Sequence, residues 1–147
     1  MKETLERLEH IVLKAEKTIL GISKDALNHK ISEDKWSKKE ILGHLIDSAM
    51  HNLQRFTEVQ FEPKPYRIRK YNQNKLVKVN CYQKSEIEVL LQLWISLNTQ
   101  IIFVLKNSTL DMLSYVIELD QDNVKTLEWL IFDYIEHMQH HLKQIKN

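Results

Sequence analysis

Trp36-Ser37-Lys38-Lys39-Glu40-Ile41-Leu42-Gly43-His44-Leu45-Ile46-Asp47-Ser48 opens a helix on several signals at once. Ser37 stands three residues before Glu40, the reciprocal pattern of a capping box. Trp36 and Ile41 occupy the two positions of a hydrophobic staple around that cap. From there Ile41, Leu42, Leu45, Ala49, Leu53 and Phe56 recur at helical spacing and form one apolar stripe. The pattern predicts a helix from the cap to about residue 60, short of Pro63.

The same reading extends to both sides. Leu5, Leu8, Ile11, Val12, Ala15, Ile19 and Leu20 predict a first helix over about residues 2–20. Residues 22–35 read as a short helical turn and a polar loop. Residues 61–84 have no clear period, contain both prolines and read as a long crossover; loops of this length are often functional. Ser85 and Glu88 repeat the capping-box spacing, and Ile87 to Leu105 continue as a third long helix to about residue 106. A polar connection follows. The last helix spans about residues 126–146, with Leu127, Leu130, Ile131, Tyr134, Ile135, Met138, Leu142 and Ile145 turned inward. Four such stripes predict an all-α chain, a four-helix bundle with long crossover connections in a single domain over residues 1–147.

Composition agrees. With 2 Gly and 2 Pro in 147 residues, turn residues are too scarce for a many-stranded sheet. The net charge of +1 supplies no global field toward nucleic acid or an anionic membrane. The segment Lys64–Lys78 mixes positive charge with Tyr66 and Tyr71, but without a DNA-binding motif it points only weakly to nucleic acid. No apolar run reaches the roughly 18 residues of a membrane span. The N-terminal residues lack the pattern of a signal peptide, and a lone Cys81 suits a reducing cytoplasm, which is the expected location.

Seven histidines remain, and two of them share a face. His137 and His141 are spaced i,i+4, one helical turn apart. At about 100° per residue the apolar stripe of the last helix includes His141, has His137 at its border and leaves His140 on the wetter side. On the second long helix His44 lies at the border of its stripe, with Ser48, His51 and Arg55 in one polar seam. Asp47 falls on the side away from the core and is not expected to be a ligand. Two imidazoles from one helix and a third from another can hold a divalent cation and leave coordination positions open. Spacing alone does not bring the two helices together. The alternative is a set of ordinary boundary histidines.

The residues Trp36-Ser37, Glu40, His44-Leu45, Asp47-Ser48 and Arg55-Phe56, followed by His137-Met138-Gln139-His140-His141 and Gln144-Ile145, resemble the DinB/YfiT-like family over nearly the whole chain. The resemblance implies a four-helix bundle, often a homodimer, with a three-histidine site for zinc or nickel. Carried over residue by residue, its metal ligands are His44, His137 and His141. It also implies an activity. Members include thiol S-transferases, which join a low-molecular-weight thiol to an electrophile, and metal-dependent hydrolases.

The expected chemistry is therefore metal-assisted thiol transfer, with small-molecule thiol and electrophile as partners. Arg55, Ser48 and His51 are the expected substrate contacts. A hydrolase using activated water, or a non-catalytic metal-binding stress module, is the alternative. No residue is singled out as catalytic; Asp47, Glu40 and His51 are candidate bases for the hydrolytic route. Cys81 has no histidine as a sequence neighbour and is read as a structural or incidental thiol rather than a nucleophile.

Overall fold

The computed structural model describes residues 1–147. Four long helices, α1 (Lys2–Leu20), α3 (Lys38–Glu58), α5 (Ile87–Lys106) and α6 (Leu127–Lys146), form the bundle, with short helices α2 (Lys24–Asn28) and α4 (Gln73–Val79) between them. Each long helix packs on two others: α3 on α5 and α6, α1 on α5 and α6. Leu8, Ile19, Leu42, Leu45, Ile46, Phe56, Trp94, Ile101, Leu105, Leu127 and Ile131 fill the centre with no more than 2% of their surface exposed. Burying side chains of this size stabilises by roughly 1.5–3 kcal/mol each. Tyr134 crosses the bundle, and its hydroxyl donates to Asn98 Oδ1 at 2.6 Å, so both buried polar groups are satisfied.

Helix directions follow from the contacts. Glu9 pairs with Lys106, while Ile19 and Leu20 lie beside Ile87 and Glu88, so α1 and α5 are antiparallel. Lys38 Nζ donates to the Ile145 carbonyl at 2.8 Å, and Asn52 and Arg55 face Asp133, so α3 and α6 are antiparallel too. Arg7 pairs with Glu136, and Thr18 lies near Lys143 and Lys146, so α1 and α6 are parallel. It follows that α3 and α5, consecutive long helices, run the same way. The chain must therefore cross the length of the bundle between them, and residues 59–86 do so.

That crossover has structure of its own. A three-stranded sheet of order β1 (Tyr66–Arg67), β2 (Val116–Asp120), β3 (Asn123–Thr126) pairs β1 parallel to β2, with Tyr66 opposite Ile117, and β2 antiparallel to β3. The sheet is an addition to the all-helical expectation. It ties the end of α3 to the start of α6 and so closes one end of the bundle. Asp122, at φ 64°, supplies the left-handed residue of the β2–β3 turn. Arg67 and Lys70 pair with Glu118 and Asp120 of β2, which offsets part of the basic run read in the crossover.

The capping box at Ser37 is present, with the Glu40 amide donating to Ser37 Oγ at 3.1 Å and the Ser37 amide to Glu40 Oε2 at 2.9 Å. The second expected box is absent. A 3-10 turn at Tyr82–Lys84 uses the Ser85 amide, and α5 starts from Glu86 with no side-chain cap. Leu20, expected inward, is exposed. By length and composition α5 could cross a membrane; here Leu90, Leu91, Trp94, Asn98, Ile101, Ile102 and Leu105 are buried in the bundle.

Gly43 sets how closely the crossover lies on α3. A Cβ there would stand 2.1 Å from Tyr82 Cδ2 and 2.8 Å from Tyr82 Cβ, too close for rotation of the ring alone to relieve. Replacing a helix-interior glycine with alanine ordinarily gains about 0.5–1 kcal/mol. Overpacking costs about 1–3 kcal/mol and should prevail. Gly43→Ala should thus lower the urea midpoint; an unchanged or raised midpoint would show that Tyr82 does not seat against α3.

Candidate metal centre

Near the start of α3 and the end of α6, antiparallel packing brings together His44, His137 and His141. One ring nitrogen from each lies within 4.8 Å of the other two. His44 Nε2 and His137 Nε2 are 3.1 Å apart, close to the roughly 3.3 Å separating two nitrogens about 2.0–2.1 Å from one tetrahedral zinc. The same distance suits an N–H···N bond in the ion-free protein. The rings meet edge to face, with centroids 4.6–5.0 Å apart.

His44 has no exposed surface, whereas the other two are half-buried. Trp36 covers it, with ring centroids 4.9 Å apart. The staple residue before the cap is thus also a wall of the site. His141 Nδ1 donates to Gln144 Oε1 at 2.8 Å, which leaves its Nε2 with the lone pair. A hydrogen bond on the far nitrogen is the usual way a metal-binding imidazole is oriented. His44 Nδ1 is buried without a hydrogen-bond partner next to the site. His140, expected on the wetter side, is exposed and shares Gln144 with His141.

All three imidazoles are held neutral. Burial pulls His44 down to about 3, and the neighbouring imidazoles of His141 and His137 add to it. Burial, then His141 and His140, pull His137 to about 4. His141 is lowered by burial, which outweighs its bond to Gln144. The chemistry of the donor set fits a divalent cation: three lone pairs, no competing protons and no protein charge to neutralise it.

A trough of about 300 Å³ leads to this centre between α3 and α6, lined by Ser48, Asn52, Arg55, Lys70, Tyr71, Asp133 and His137 among others. Two of the three expected substrate contacts, Arg55 and Ser48, stand on its wall. The third does not. His51 stacks under Tyr71 at 3.9 Å, its Nδ1 is bonded to the Asp47 carbonyl at 2.8 Å, and it faces an adjoining outer cleft of about 920 Å³ that shares Arg55, Lys70 and Tyr71 with the trough.

None of the candidate bases faces the trough. Glu40 is held by its capping box and by Lys30 at 3.1 Å. Asp47 is fully buried rather than turned outward, because α4 and the 3-10 turn cover that side of α3. Its Oδ1 accepts from Tyr82 at 2.6 Å and Asn80 at 2.9 Å, while Oδ2 has no partner. Burial raises its proton affinity despite those bonds. Asp47 therefore anchors the crossover.

The carboxylate that does face the trough is Asp133, one turn before His137; it is exposed, and partial desolvation at the trough wall raises its proton affinity against the opposing field of Arg55. Sequence reading missed it, although the i,i+4 spacing from His137 was available as a signal. Cys81 is exposed, with Sγ against the carbonyls of Lys78 and Val79.

This geometry defines a four-helix bundle with a histidine centre able to hold a divalent metal. Residues 4–145 match the DinB superfamily, and the chain belongs to it. A Halalkalibacterium halodurans protein named "Putative metal-dependent hydrolase" is 27% identical over 114 residues, which span 78% of this chain and 66% of the relative, just under two thirds of its length.

YfiT from Bacillus subtilis, described as "a probable metal-dependent hydrolase with an unusual four-helix bundle topology", superposes with a TM-score of 0.86 at 21% identity, covering 98% of this chain and 82% of its own. A mycothiol-dependent maleylpyruvate isomerase superposes at 0.74 with 12% identity, covering 98% of this chain and 60% of its own. At these identities the structural likeness is one of fold.

Two outcomes follow. His141→Ala should weaken zinc binding by an order of magnitude or more in a competitive chelator titration while leaving the far-ultraviolet dichroism nearly intact; unchanged affinity would remove His141 from the ligand set. In metal-stripped protein the depressed imidazoles bind fewer protons folded than unfolded. Their contribution is therefore complete above pH ~6.5 and is lost as pH falls toward the folded values of about 3 and 4. Urea midpoints of His44→Phe should show a flatter decline across that window; an identical slope would contradict the burial of a neutral His44.

Proposed function

We propose that the chain is a divalent-metal-dependent enzyme that transfers a low-molecular-weight thiol to an electrophile, with His44, His137 and His141 as the ligands of a zinc or nickel ion. A divalent cation in such a site supplies Lewis acidity that lowers the proton affinity of a thiol or water beside it. The residues supply the rest. Three neutral imidazoles leave the cation its full charge. Trp36 and the buried end of α3 exclude water behind His44. Ser48, Asn52 and Arg55 line the trough through which a ligand reaches His137.

The observation that carries this reading is that the trough beside the triad offers no covalent nucleophile and only one carboxylate, Asp133, for base chemistry. No cysteine or second histidine lines the trough, and Asp47, Glu40 and His51 are engaged elsewhere. A thiol ionises far more readily than water, with a reference pKa of ~8.5, and needs least help from a protein base. The nucleophile then arrives as a cosubstrate.

Hydrolysis is the second reading, favoured by one feature. Asp133 lies in the trough with its proton affinity raised, as suits a base for activating water. The names of the hydrolase relatives agree with it. Zinc- or nickel-loaded protein should consume model electrophiles only when a low-molecular-weight thiol is supplied, forming the thioether. Turnover unaffected by omitting thiol would replace transfer with hydrolysis.

A further inference from the structure

The trough holds two opposite charges that do not pair with each other. Arg55 projects from α3 and Asp133 from α6, and both line the same space as His137. The guanidinium is fixed by neutral acceptors, Asn52 Oδ1 at 3.3 Å and the Arg69 carbonyl at 3.1 Å, with its face toward Tyr71 at 5.7 Å. No carboxylate oxygen lies within the 4.0 Å of an ion pair, although the field of Asp133 reaches it. Asp133 has no side-chain hydrogen bond and no basic partner, although it feels the field of Arg55. The remaining charge in the trough, Lys70, is engaged by Asp120. A half-buried cation and an exposed carboxylate that border one trough without forming an ion pair suit a ligand that carries both charges.

We propose that Arg55 and Asp133 are a head-group subsite for a zwitterionic α-amino acid, Arg55 binding its carboxylate and Asp133 its ammonium. Asp133 precedes His137 by one helical turn, about 6 Å along the axis. A ligand anchored there extends toward the histidine centre by a short side chain, the scale of a sulfur-bearing amino acid or a terminal residue of a small peptide. Tyr71, half-buried between the trough and the outer cleft, is the wall that such a ligand lies against. The proposal rests on the reading above for what happens at the histidine end of the ligand. Binding of the head group requires no metal.

The test separates the two. Metal-free protein is titrated calorimetrically with methionine, with 3-(methylthio)propylamine, which lacks the carboxylate, and with 4-(methylthio)butyrate, which lacks the amine. Methionine should bind at least tenfold more tightly than either. Arg55→Gln should remove its advantage over the amine, and the near-isosteric Asp133→Asn its advantage over the acid. Equal binding of the three probes, no binding, or advantages that survive both substitutions would overturn the subsite. Zinc content of the same preparations, after loading and desalting, reports on the triad independently. Protein that prefers methionine but takes up no zinc keeps the subsite and loses the metal reading; zinc uptake without the preference does the reverse.

Discussion

The antiparallel contact of α3 with α6 is the constraint on which the site depends. His44 lies near the beginning of one helix, and His137 and His141 near the end of the other. Only opposite helix directions place those ends side by side. The same contact puts Arg55 across from Asp133 and so forms the trough. The up-down-down-up arrangement that results leaves α3 and α5 parallel, and a parallel pair of consecutive helices needs a long connection. The crossover therefore follows from the directions of all four helices, of which the α3–α6 contact at the histidines is one.

The bundle carries an unusual load of buried polarity on α3. Lys39, His44, Asp47, Ser48 and Asn52 are all buried there. An unsatisfied buried polar group costs about 1–3 kcal/mol, so such groups need partners. Asp47 and Asn52 find them in the crossover and in their own helix. His44 keeps an unpartnered Nδ1 while its Nε2 points at His137. The apolar centre of the bundle is well filled without these residues. The row divides in two: Lys39 and Asp47 fasten the crossover, while His44, Ser48 and Asn52 border the site.

Much of this was legible in the sequence because long amphipathic helices announce themselves. The four stripes place the four long helices within two residues of their observed ends. The facing of His137 and His141 also follows from helical period alone. What could not be read is what depends on partners distant in sequence. β1 is two residues long and pairs with residues about fifty positions away, so it has no period to detect. Asp47 seemed to face solvent because the cover supplied by α4 and Tyr82 was read as structureless chain. Ser85–Glu88 has the spacing of a capping box, but a 3-10 turn claims Ser85 first. His51 shares the seam of His44 and Arg55, yet Tyr71, a crossover residue, separates it from the trough.

The central claim is that imidazoles from α3 and α6 grip one ion. X-ray absorption of the stoichiometric zinc-loaded protein at the zinc edge addresses it most directly. The account predicts a first shell of light atoms at about 2.0–2.1 Å with the outer-shell scattering of three imidazoles and no sulfur from the protein. A zinc–sulfur distance near 2.3 Å in the absence of added thiol, or scattering from fewer than three imidazoles, would contradict it.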